Sequence, residues 1–425
     1  MANKHLLIIG NGAAGISAAE AMRSVDRNAR ITIISEESYP AYSKVLLHYY
    51  IDSRISEKAL FVRTDKFYKE FKIDTVLGKK VVRIHPEKQY VLLKDRSRIL
   101  FDRLLIATGS YPVIPPLGKK DSAGTFTLWT LQDARNIINA SRKGHDGVVI
   151  GGSFVGMQAL DSLKRKGLRL RVVELTDRIM PNILDREGSR MLEDYLRDKG
   201  IRLFLRNRLV AINESGNSGK KLILADGTEI NTNFCILSVG ARPNLFLADE
   251  TSLKKKTGLL VDSCMRTNNP NIFAAGDVAE VFDMLEGRRK VFGLWSTAIE
   301  QGRIAGLNMV GRKFEYFGGM DMNAIHILGY PVITLGKTNL NGDGEHISTR
   351  VFLDRSKKIY RKFIMKDDVI IGAILMGQVN DAGRIGNLIR SKYKIRPSDV
   401  KFSLGGLRDR VSYMTYGNRV KNYPF

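Results

Sequence analysis

Short apolar runs and helical segments alternate along most of this chain. The run His5-Leu6-Leu7-Ile8-Ile9 has the composition of a buried parallel strand, and the Ala-rich, Pro-free segment Ala13–Val25 behind it predicts a helix. A second apolar strand is predicted at residues 31–34. The order of strand, helix and strand is typical of a nucleotide-binding α/β unit.

The same pattern recurs later in the chain. Residues 148–150 predict a strand, a helix runs to Lys166, and a further strand is predicted at 170–173. Two such units in one chain predict an α/β fold with two Rossmann-like dinucleotide-binding domains.

From about Phe314 onward the pattern becomes rich in β-strand. Apolar runs at 329–334, 359–365 and 369–375 alternate with turn signals such as Asn341-Gly342-Asp343-Gly344. They predict a small α+β C-terminal domain. No helix or strand is predicted for the segment Ser391–Phe425. Its Arg, Lys and Tyr content suits either docking on a partner or a solvated tail.

A glycine-rich turn joins the first strand to its helix. It reads Gly10-Asn11-Gly12-Ala13-Ala14-Gly15, in which the glycines permit a tight turn, close approach of the backbone to a pyrophosphate, and close packing of helix on strand. The helix N-terminus offers N–H donors to the phosphates. Glu36 and Glu37, at the end of the second strand, stand where a ribose hydroxyl would bind.

The second unit has a matching turn, Gly151-Gly152-Ser153-Phe154-Val155-Gly156. Ser153 replaces the middle glycine, and a residue with a Cβ fits there if its backbone angles stay allowed. Glu174 ends the following strand and favours NAD, because a carboxylate accepts from a 2′-hydroxyl and repels a 2′-phosphate. Arg178 lies close behind Glu174, and an arginine there can accommodate a 2′-phosphate, so NADP is not excluded.

Composition narrows the class of protein. The 425 residues suffice for two or three domains, and no apolar run approaches a membrane span, so we expect a soluble, cytoplasmic protein without membrane insertion. The net charge is +24, from 68 Lys and Arg against 44 Asp and Glu. This charge favours an acidic protein partner over nucleic acid, while a merely solvated basic surface stays open.

The two cysteines, Cys235 and Cys264, lie too far apart in sequence for a CxxC or CxxxxC pair. The chain therefore lacks the local redox dithiol that a disulfide reductase carries. The six histidines show no metal-ligand spacing, so no metal site is predicted.

Four further motifs accompany the two turns. They are Tyr42-Ser43-Lys44-Val45-Leu46-Leu47, the run FDRLLIATG at 101–109, SVGARPN at 238–244 and TNNPNIFAAGD at 267–277. Over residues 4 to 390 the chain resembles the glutathione-reductase-like flavoproteins. Within them it is similar to the NADH:rubredoxin reductases and to the FAD-binding part of NADH-dependent nitrite reductases.

The resemblance implies FAD at the first turn and NAD(H) at the second. The implied FAD contacts are Gly10, Gly12, Ala13, Ala14, Gly15, Glu36, Glu37, Lys44, Val81, Ala107, Thr108, Gly109, Asp277 and Trp295. The implied NAD(H) contacts are Gly151, Gly152, Ser153, Phe154, Val155, Gly156, Gln158, Glu174 and Gly240. The implied domains are a split FAD domain (1–111 and 245–313), an NAD domain (112–244) and a C-terminal interface domain with a basic tail (314–425).

Several of these residues have specific implied roles. Lys44 would stabilise negative charge on the reduced flavin, beside Ser43 where related peroxidases and oxidases carry a reactive cysteine. Asp277 would accept from a ribityl hydroxyl. Gln158 replaces a family glutamate near the nicotinamide. The small residues of the helix that begins at Trp295 fit either a dipole aimed at the flavin or simple helix packing.

The resemblance identifies the chain as an FAD-dependent NADH:acceptor oxidoreductase. Its implied partner is an acidic iron-sulfur or rubredoxin-like carrier or a dehydrogenase subunit, and a homodimer stays open. Two alternatives remain: an NADH oxidase that uses oxygen, and an FAD- and NAD-binding signalling or assembly protein without an enzymatic role.

Overall fold

The computed structural model describes residues 4–117, 124–215, 219–339 and 346–395, together with the backbone of 400–401 and 408–409. The predicted turn at 341–344 and most of the basic tail lie outside the described residues. The chain divides into two compact units. The first comprises Met1–Ile114, Leu128–Ile138 and Gly240–Gly319, and the second Pro115–Thr127, Asn139–Val239 and Met320–Phe425.

The first unit is built on a five-stranded parallel sheet. In spatial order its strands are Ile272–Ala274, Arg103–Ile106, His5–Ile9, Arg30–Ser35 and Ile73–Leu77. The central strands are almost wholly apolar and lie in the unit's core, as expected for strands covered on both faces.

Smaller sheets complete the first unit. Their strands are Val81–His85, Tyr90–Leu93 and Arg98–Leu100; Leu259–Leu260, Ala279–Phe282 and Arg289–Lys290; and Ser110–Pro112 with Ala241–Pro243. Its α-helices are Ala13–Val25, Leu47–Ile51, Asp65–Glu70, Leu131–Ala140 (whose last two residues fall in the second unit) and Trp295–Met309, and its 3-10 helices are Lys44–Leu46, Glu57–Leu60 and Phe246–Ala248.

Two helices of this unit pack backbone to backbone. A Cβ at Gly302 would lie 2.1 Å from the Ala14 carbonyl oxygen, and one at Gly306 would lie 2.4 Å from that of Ala18. Only glycine allows the helix Trp295–Met309 to approach the helix Ala13–Val25 so closely. Helix packing therefore accounts for the small residues that the sequence shows here.

The second unit repeats the parallel plan. Its five-stranded sheet has the spatial order Arg202–Phe204, Arg169–Val173, Asp146–Ile150, Phe234–Leu237 and Thr125–Phe126. The helices Phe154–Arg165 and Arg186–Asp198 follow its strands, and an antiparallel sheet contains Leu209–Ser215, Gly219–Leu224 and Glu229–Thr232.

The C-terminal part of the second unit is an antiparallel sheet with one helix. The spatial order is Met322–Ile327, Tyr330–Gly336, Val369–Met376, Ile359–Lys366 and Ile347–Asp354; the helix Ala382–Ser391 and the short pair Val400–Lys401 and Arg408–Asp409 follow. The fold class predicted from the sequence, two Rossmann-like domains and a small α+β domain, is confirmed. The predicted domain boundaries stay predictions; the range 112–244 includes Leu128–Ile138, which is assigned to the first unit.

Hydrogen bonds tie the C-terminal sheet to the second Rossmann domain within this unit. The Asp185 carboxylate accepts from the Tyr360 hydroxyl at 2.6 Å and from Lys362 Nζ at 2.8 Å. Burial opposes ionisation of Asp185, but these donors outweigh it and hold the pKa of the carboxyl below its ordinary value. The Tyr195 hydroxyl adds a 2.8 Å bond to the Leu328 carbonyl.

Candidate dinucleotide sites

The first glycine turn packs against the end of a neighbouring strand. Gly10 has φ of 119°, and a Cβ there would lie 2.1 Å from the Ala107 carbonyl oxygen. A Cβ at Gly15 would lie 2.0 Å from the Gly10 carbonyl oxygen. Both positions require glycine, since a side chain would meet backbone atoms that have no room to move.

Gly12 differs, because no protein atom lies within 4 Å of a Cβ built on it. It begins the helix Ala13–Val25, and no side chain caps that helix. Open space before an uncapped helix N-terminus, at Ala13 and Ala14, is what a pyrophosphate requires, since its oxygens accept from the free N–H groups. The first turn therefore fits a dinucleotide.

The two acidic residues after the second strand have different surroundings. Glu36 has a side chain that is 65% exposed and accepts from Lys80 Nζ at 3.0 Å. Glu37 accepts from the Tyr42 hydroxyl at 2.6 Å and lies 3.7 Å from Lys44 Nζ. Glu36 thus has the freer carboxylate for a ribose hydroxyl, while Glu37 is held within the protein.

Burial and charge act on the Tyr42 phenol. Burial raises the pKa of Tyr42, and the neighbouring Glu37 carboxylate raises it further. The phenol therefore stays protonated and donates to Glu37. Tyr42 stands inside a motif that the sequence marked, yet it was not singled out as a functional residue.

The segment directly after the FDRLLIATG motif pairs with the SVGARPN motif through the strands Ser110–Pro112 and Ala241–Pro243. The Thr108 hydroxyl donates to the Asn244 carbonyl at 3.1 Å, and the Asn244 amide donates to the Gly109 carbonyl at 2.9 Å. Gly109 and Gly240 have positive φ, and a Cβ on either would meet no protein atom within 4 Å. The backbone at Gly109 and at Gly240 is therefore not covered by protein atoms on the side where a Cβ would stand.

Asp277 follows the strand Ile272–Ala274 and is partly buried. One of its carboxylate oxygens accepts from the Ser110 hydroxyl at 2.7 Å. Burial raises the pKa of Asp277, while the Ser110 hydroxyl and the Lys44 charge act in the opposite direction. A carboxylate has about four acceptor positions, so capacity remains for a ligand hydroxyl.

The remaining FAD-side predictions lie in the same unit. Trp295 is the first residue of the helix Trp295–Met309, which has no side-chain cap. Val81 is buried at the start of the strand Val81–His85. Lys44 begins the 3-10 helix Lys44–Leu46 with a side chain that is 42% exposed.

The second turn reproduces the first at its outer positions. Gly151 has φ of 103°, and a Cβ on it would lie 2.2 Å from the Ser238 carbonyl oxygen. A Cβ at Gly156 would lie 2.2 Å from the Gly151 carbonyl oxygen. A Cβ at Gly152 would lie 2.7 Å from Ile179 Cδ1, the end of a flexible side chain, so a side chain there would require Ile179 to shift.

Ser153 fits its position. Its backbone is extended, with φ of −79° and ψ of 176°, which any residue can adopt. Its hydroxyl donates to the Ser238 carbonyl at 2.9 Å, lies 2.6 Å from the Ser238 hydroxyl, and accepts from the Gly156 amide at 3.3 Å. Ser153 is therefore the N-cap of the helix Phe154–Arg165.

Glu174 is buried beside this turn. One carboxylate oxygen accepts from the Gly152 amide at 2.6 Å, and the other accepts from the amide and the hydroxyl of Thr176, both at 2.8 Å. A carboxylate has about four acceptor positions, so capacity remains for a ribose hydroxyl. Arg178, the residue that left NADP open, pairs with Asp177 at 2.8 Å.

Phe154, Val155 and Gln158 lie half-buried along the helix Phe154–Arg165, whereas Gly156, Met157 and Ala159 on the same turns are buried. The half-buried residues therefore share the more open side of the helix.

Three further residues take part in these contacts and were missed in the sequence: Ser238 contacts Ser153, Ser110 contacts Asp277, and Trp129 contacts Ser110. Ser238 follows the strand Phe234–Leu237, so its place at the carboxyl edge of a parallel sheet was a usable signal. Ser110 follows Gly109 directly. Trp129 donates to the Ser110 carbonyl at 2.8 Å. No sequence motif indicates this contact, because only the fold brings Trp129 close to Ser110.

Comparison with known proteins identifies the class of protein. The family model described as pyridine nucleotide-disulphide oxidoreductase matches residues 4–302. The chain belongs to this family. The rubredoxin NAD+ reductase C-terminal domain matches residues 322–393. As a pyridine nucleotide-disulphide oxidoreductase, the chain is an oxidoreductase that uses FAD and NAD(H), which confirms both cofactor predictions.

Three relatives illustrate the range of this family. The nitrite reductase (NADH) large subunit of Escherichia coli (strain K12) is 30% identical over 92% of this chain and 46% of its own length. The NADH-dependent phenylglyoxylate dehydrogenase subunit epsilon of Aromatoleum evansii is 27% identical over 93% of this chain and 94% of its own. The NADH:rubredoxin oxidoreductase from Clostridium acetobutylicum superposes with a TM-score of 0.74 at 25% identity, over 92% of this chain and 96% of its own.

The chain thus spans about half the length of the nitrite reductase subunit and nearly all of the other two relatives. Within the described ranges, no helix has both the length and the apolar character needed to cross a membrane.

Proposed function

We propose that this chain transfers electrons between NADH and a one-electron carrier, either an iron-sulfur or rubredoxin-like protein or a partner subunit. The observation that carries the proposal is the placement of the only two cysteines. Cys235 is buried in a strand of the second unit, and Cys264 lies in the first unit beyond the strand Leu259–Leu260. Each unit thus contains a single cysteine, so neither unit by itself contains the pair that a dithiol relay needs.

Cys235 is also chemically quiet. Burial raises the pKa of its thiol to about 11, so the thiol is protonated at neutral pH and is a poor nucleophile. Electrons then have no disulfide to pass through on this chain. A direct transfer from the cofactor to a separate carrier is the simplest route that remains.

Ser43 argues against the oxidase alternative. It stands where the related peroxidases and oxidases carry a reactive cysteine, and it is buried, with its amide donating to the Leu60 carbonyl at 2.8 Å. A serine hydroxyl does not undergo the redox cycle of a thiolate. The site therefore favours electron delivery to a carrier over reduction of oxygen.

The chain's residues would divide the work as follows. FAD supplies the coupling of a two-electron donor to one-electron acceptors. The first turn would bind its pyrophosphate, Glu36 its ribose and Asp277 its ribityl chain. Lys44 would hold positive charge where the ring becomes anionic. The second turn would bind the nicotinamide dinucleotide and hold it in position for hydride transfer.

The preference for NADH over NADPH rests on charge. Glu174 presents a buried carboxylate at the end of the strand Arg169–Val173, where a 2′-phosphate would be repelled. Arg178 is engaged by Asp177 and by the Pro181 carbonyl. Arg178, the cation that would offset this repulsion, is therefore already paired.

Anaerobic stopped-flow mixing with NADH tests the proposal. We expect rapid bleaching of the flavin by NADH, slow bleaching by NADPH, and reoxidation by an added rubredoxin or [2Fe–2S] ferredoxin. Failure to bleach with either nucleotide would contradict the oxidoreductase assignment. Large oxygen consumption without a carrier would instead support the oxidase.

The acidic partner has its own test. With a net charge of +24, the chain should bind an acidic ferredoxin more weakly as salt increases, because exposed charges are screened. Binding measured between 20 mM and 300 mM salt, on the order of the range where screening sets in, should fall steeply. Salt-insensitive binding would exclude a charge-driven interface.

A further inference from the structure

A short segment of the first unit hydrogen-bonds to Ser110 and to Tyr42, and each of these contacts a residue predicted to bind FAD. This segment, Trp129-Thr130-Leu131, belongs to Leu128–Ile138, which the chain inserts into the first unit between two stretches of the second. The described residues of the segment make hydrogen bonds in two directions, one toward Asp277 and one toward Lys44.

The first set of contacts runs through Ser110. The Trp129 indole N–H donates to the Ser110 carbonyl at 2.8 Å, and the Ser110 hydroxyl donates to the Asp277 carboxylate at 2.7 Å. Ser110 is thereby held at its backbone while its side chain orients Asp277. Fixing one carboxylate oxygen in this way sets the orientation of the whole carboxylate.

The second set runs through Tyr42. The Leu131 amide donates to the Tyr42 hydroxyl at 3.1 Å, and that hydroxyl donates to Glu37 at 2.6 Å. The other Glu37 oxygen lies 3.7 Å from Lys44 Nζ. Tyr42 therefore takes part of the Glu37 charge, which would otherwise act more fully on Lys44.

The segment is itself anchored. The amides of Trp129 and Thr130 both donate to the Asp133 carboxylate at 3.0 Å. Farther along the same helix, Arg135 donates to both oxygens of Glu57, at 3.1 and 2.6 Å. Both sets of contacts therefore start from a fixed segment.

We propose that residues 129–131 form a positioning element for the flavin, in which Trp129 acts through Ser110 on Asp277, and Leu131 acts through Tyr42 and Glu37 on Lys44. The inference rests on the proposed binding of FAD at the first turn. Neither Trp129 nor Tyr42 need touch the flavin, so both are positioning residues.

Two variants separate the sets of contacts. Tyr42→Phe removes the donor to Glu37, so that carboxylate offsets Lys44 more strongly and the midpoint potential of the bound flavin should fall. Trp129→Phe leaves Ser110 free to shift, so the FAD dissociation constant should rise about fivefold, the usual effect of one lost hydrogen bond. Ser110→Ala should reproduce this loss. Ser110→Thr keeps the hydroxyl and should bind FAD as the wild type does.

The second unit supplies matched controls. Tyr360→Phe removes a phenol bond to a carboxylate that also has a 2.6 Å length and also lies beside a lysine. Tyr195→Phe removes an aromatic donor to a backbone carbonyl at 2.8 Å, the same length as the Trp129 bond. Both controls should lower the melting temperature somewhat and leave the FAD dissociation constant and the flavin potential within about twofold of wild type.

The measurements are FAD titration of the apoprotein and redox titration of the loaded protein. The potential is read only on molecules that hold flavin, so a partial loss of folded protein does not imitate the Tyr42 effect. If Tyr42→Phe keeps the wild-type potential and Trp129→Phe binds FAD like its control, the inference is wrong while the proposed function stands. If the wild-type chain binds no FAD, both are wrong.

Discussion

The two glycine turns share one backbone design and differ in what lies before the helix. In both, the first glycine has a positive φ against a strand-end carbonyl, and the last packs on the first. At the middle position, Gly12 opens on empty space and leaves its helix uncapped, whereas the Ser153 hydroxyl caps its helix and contacts Ser238. The acids also differ: Glu36 is exposed, and Glu174 is buried against the turn.

The two turns therefore differ in what accepts hydrogen bonds from the free N–H groups at the start of their helices. The first turn leaves them to a ligand, so an anion adds hydrogen bonds that the protein alone lacks. In the second turn, Ser153 and Glu174 already accept hydrogen bonds from the amides of Gly156 and Gly152. A dinucleotide at the second turn therefore gains less, which suits a substrate that must leave, while the first turn suits a cofactor that stays.

The largest expected effects come from the shared glycines. Gly10→Ala and Gly151→Ala each place a Cβ about 2 Å from a backbone oxygen, at a φ where a side chain costs a further 1–3 kcal/mol or so. We expect Gly10→Ala to purify without flavin. Gly151→Ala should keep its flavin and lose reduction by NADH by at least about a hundredfold.

Flavin absorbance per chain and the anaerobic reduction rate measure the two effects separately. Gly227→Ala is a suitable control, because it too has a positive φ but meets no protein atom within 4 Å. If Gly151→Ala also lost its flavin, the two sites would not be independent, and the comparison of the turns would fail.

The acids give the next largest contrast. Glu174→Gln keeps an oxygen that can accept from Gly152 but removes the charge that repels a 2′-phosphate. We expect the ratio of kcat/KM for NADPH over NADH to rise about tenfold, equivalent to about 1.4 kcal/mol of repulsion.

Glu36→Gln is the matched change at the other turn. It should weaken FAD binding slightly, since Glu36 is exposed and paired with Lys80, and it should leave the nucleotide ratio unchanged. An equal change in the ratio from both variants would show that Glu174 does not select the nucleotide.

The sequence predicted the parts of the molecule that depend on local pattern. The turn glycines, the strands around them and the fold class follow from apolar periodicity and from conformations that only glycine allows. Ser153 was predicted as an NAD(H) contact whose fit depends on its backbone angles. Its hydrogen bonds to Ser238 could not be predicted, because Ser238 follows a separate strand. The contacts of Trp129 could not be predicted, since they join distant segments without any sequence motif.

The smallest and sharpest test exchanges the middle residues of the turns. Gly12→Ser should be tolerated by the protein, because its backbone is extended and no protein atom lies within 4 Å of the added Cβ. Any loss of FAD must therefore come from the added side chain meeting the ligand, because it fills space that the pyrophosphate needs and its hydroxyl competes for the N–H groups. We expect the FAD dissociation constant to rise at least about fivefold. Ser153→Gly should lower the KM for NADH about twofold and cost a few tenths of a kcal/mol in stability, as expected when glycine replaces a serine cap. If FAD binds Gly12→Ser as it binds wild type, the open space before the first helix is not what distinguishes a resident cofactor from a substrate.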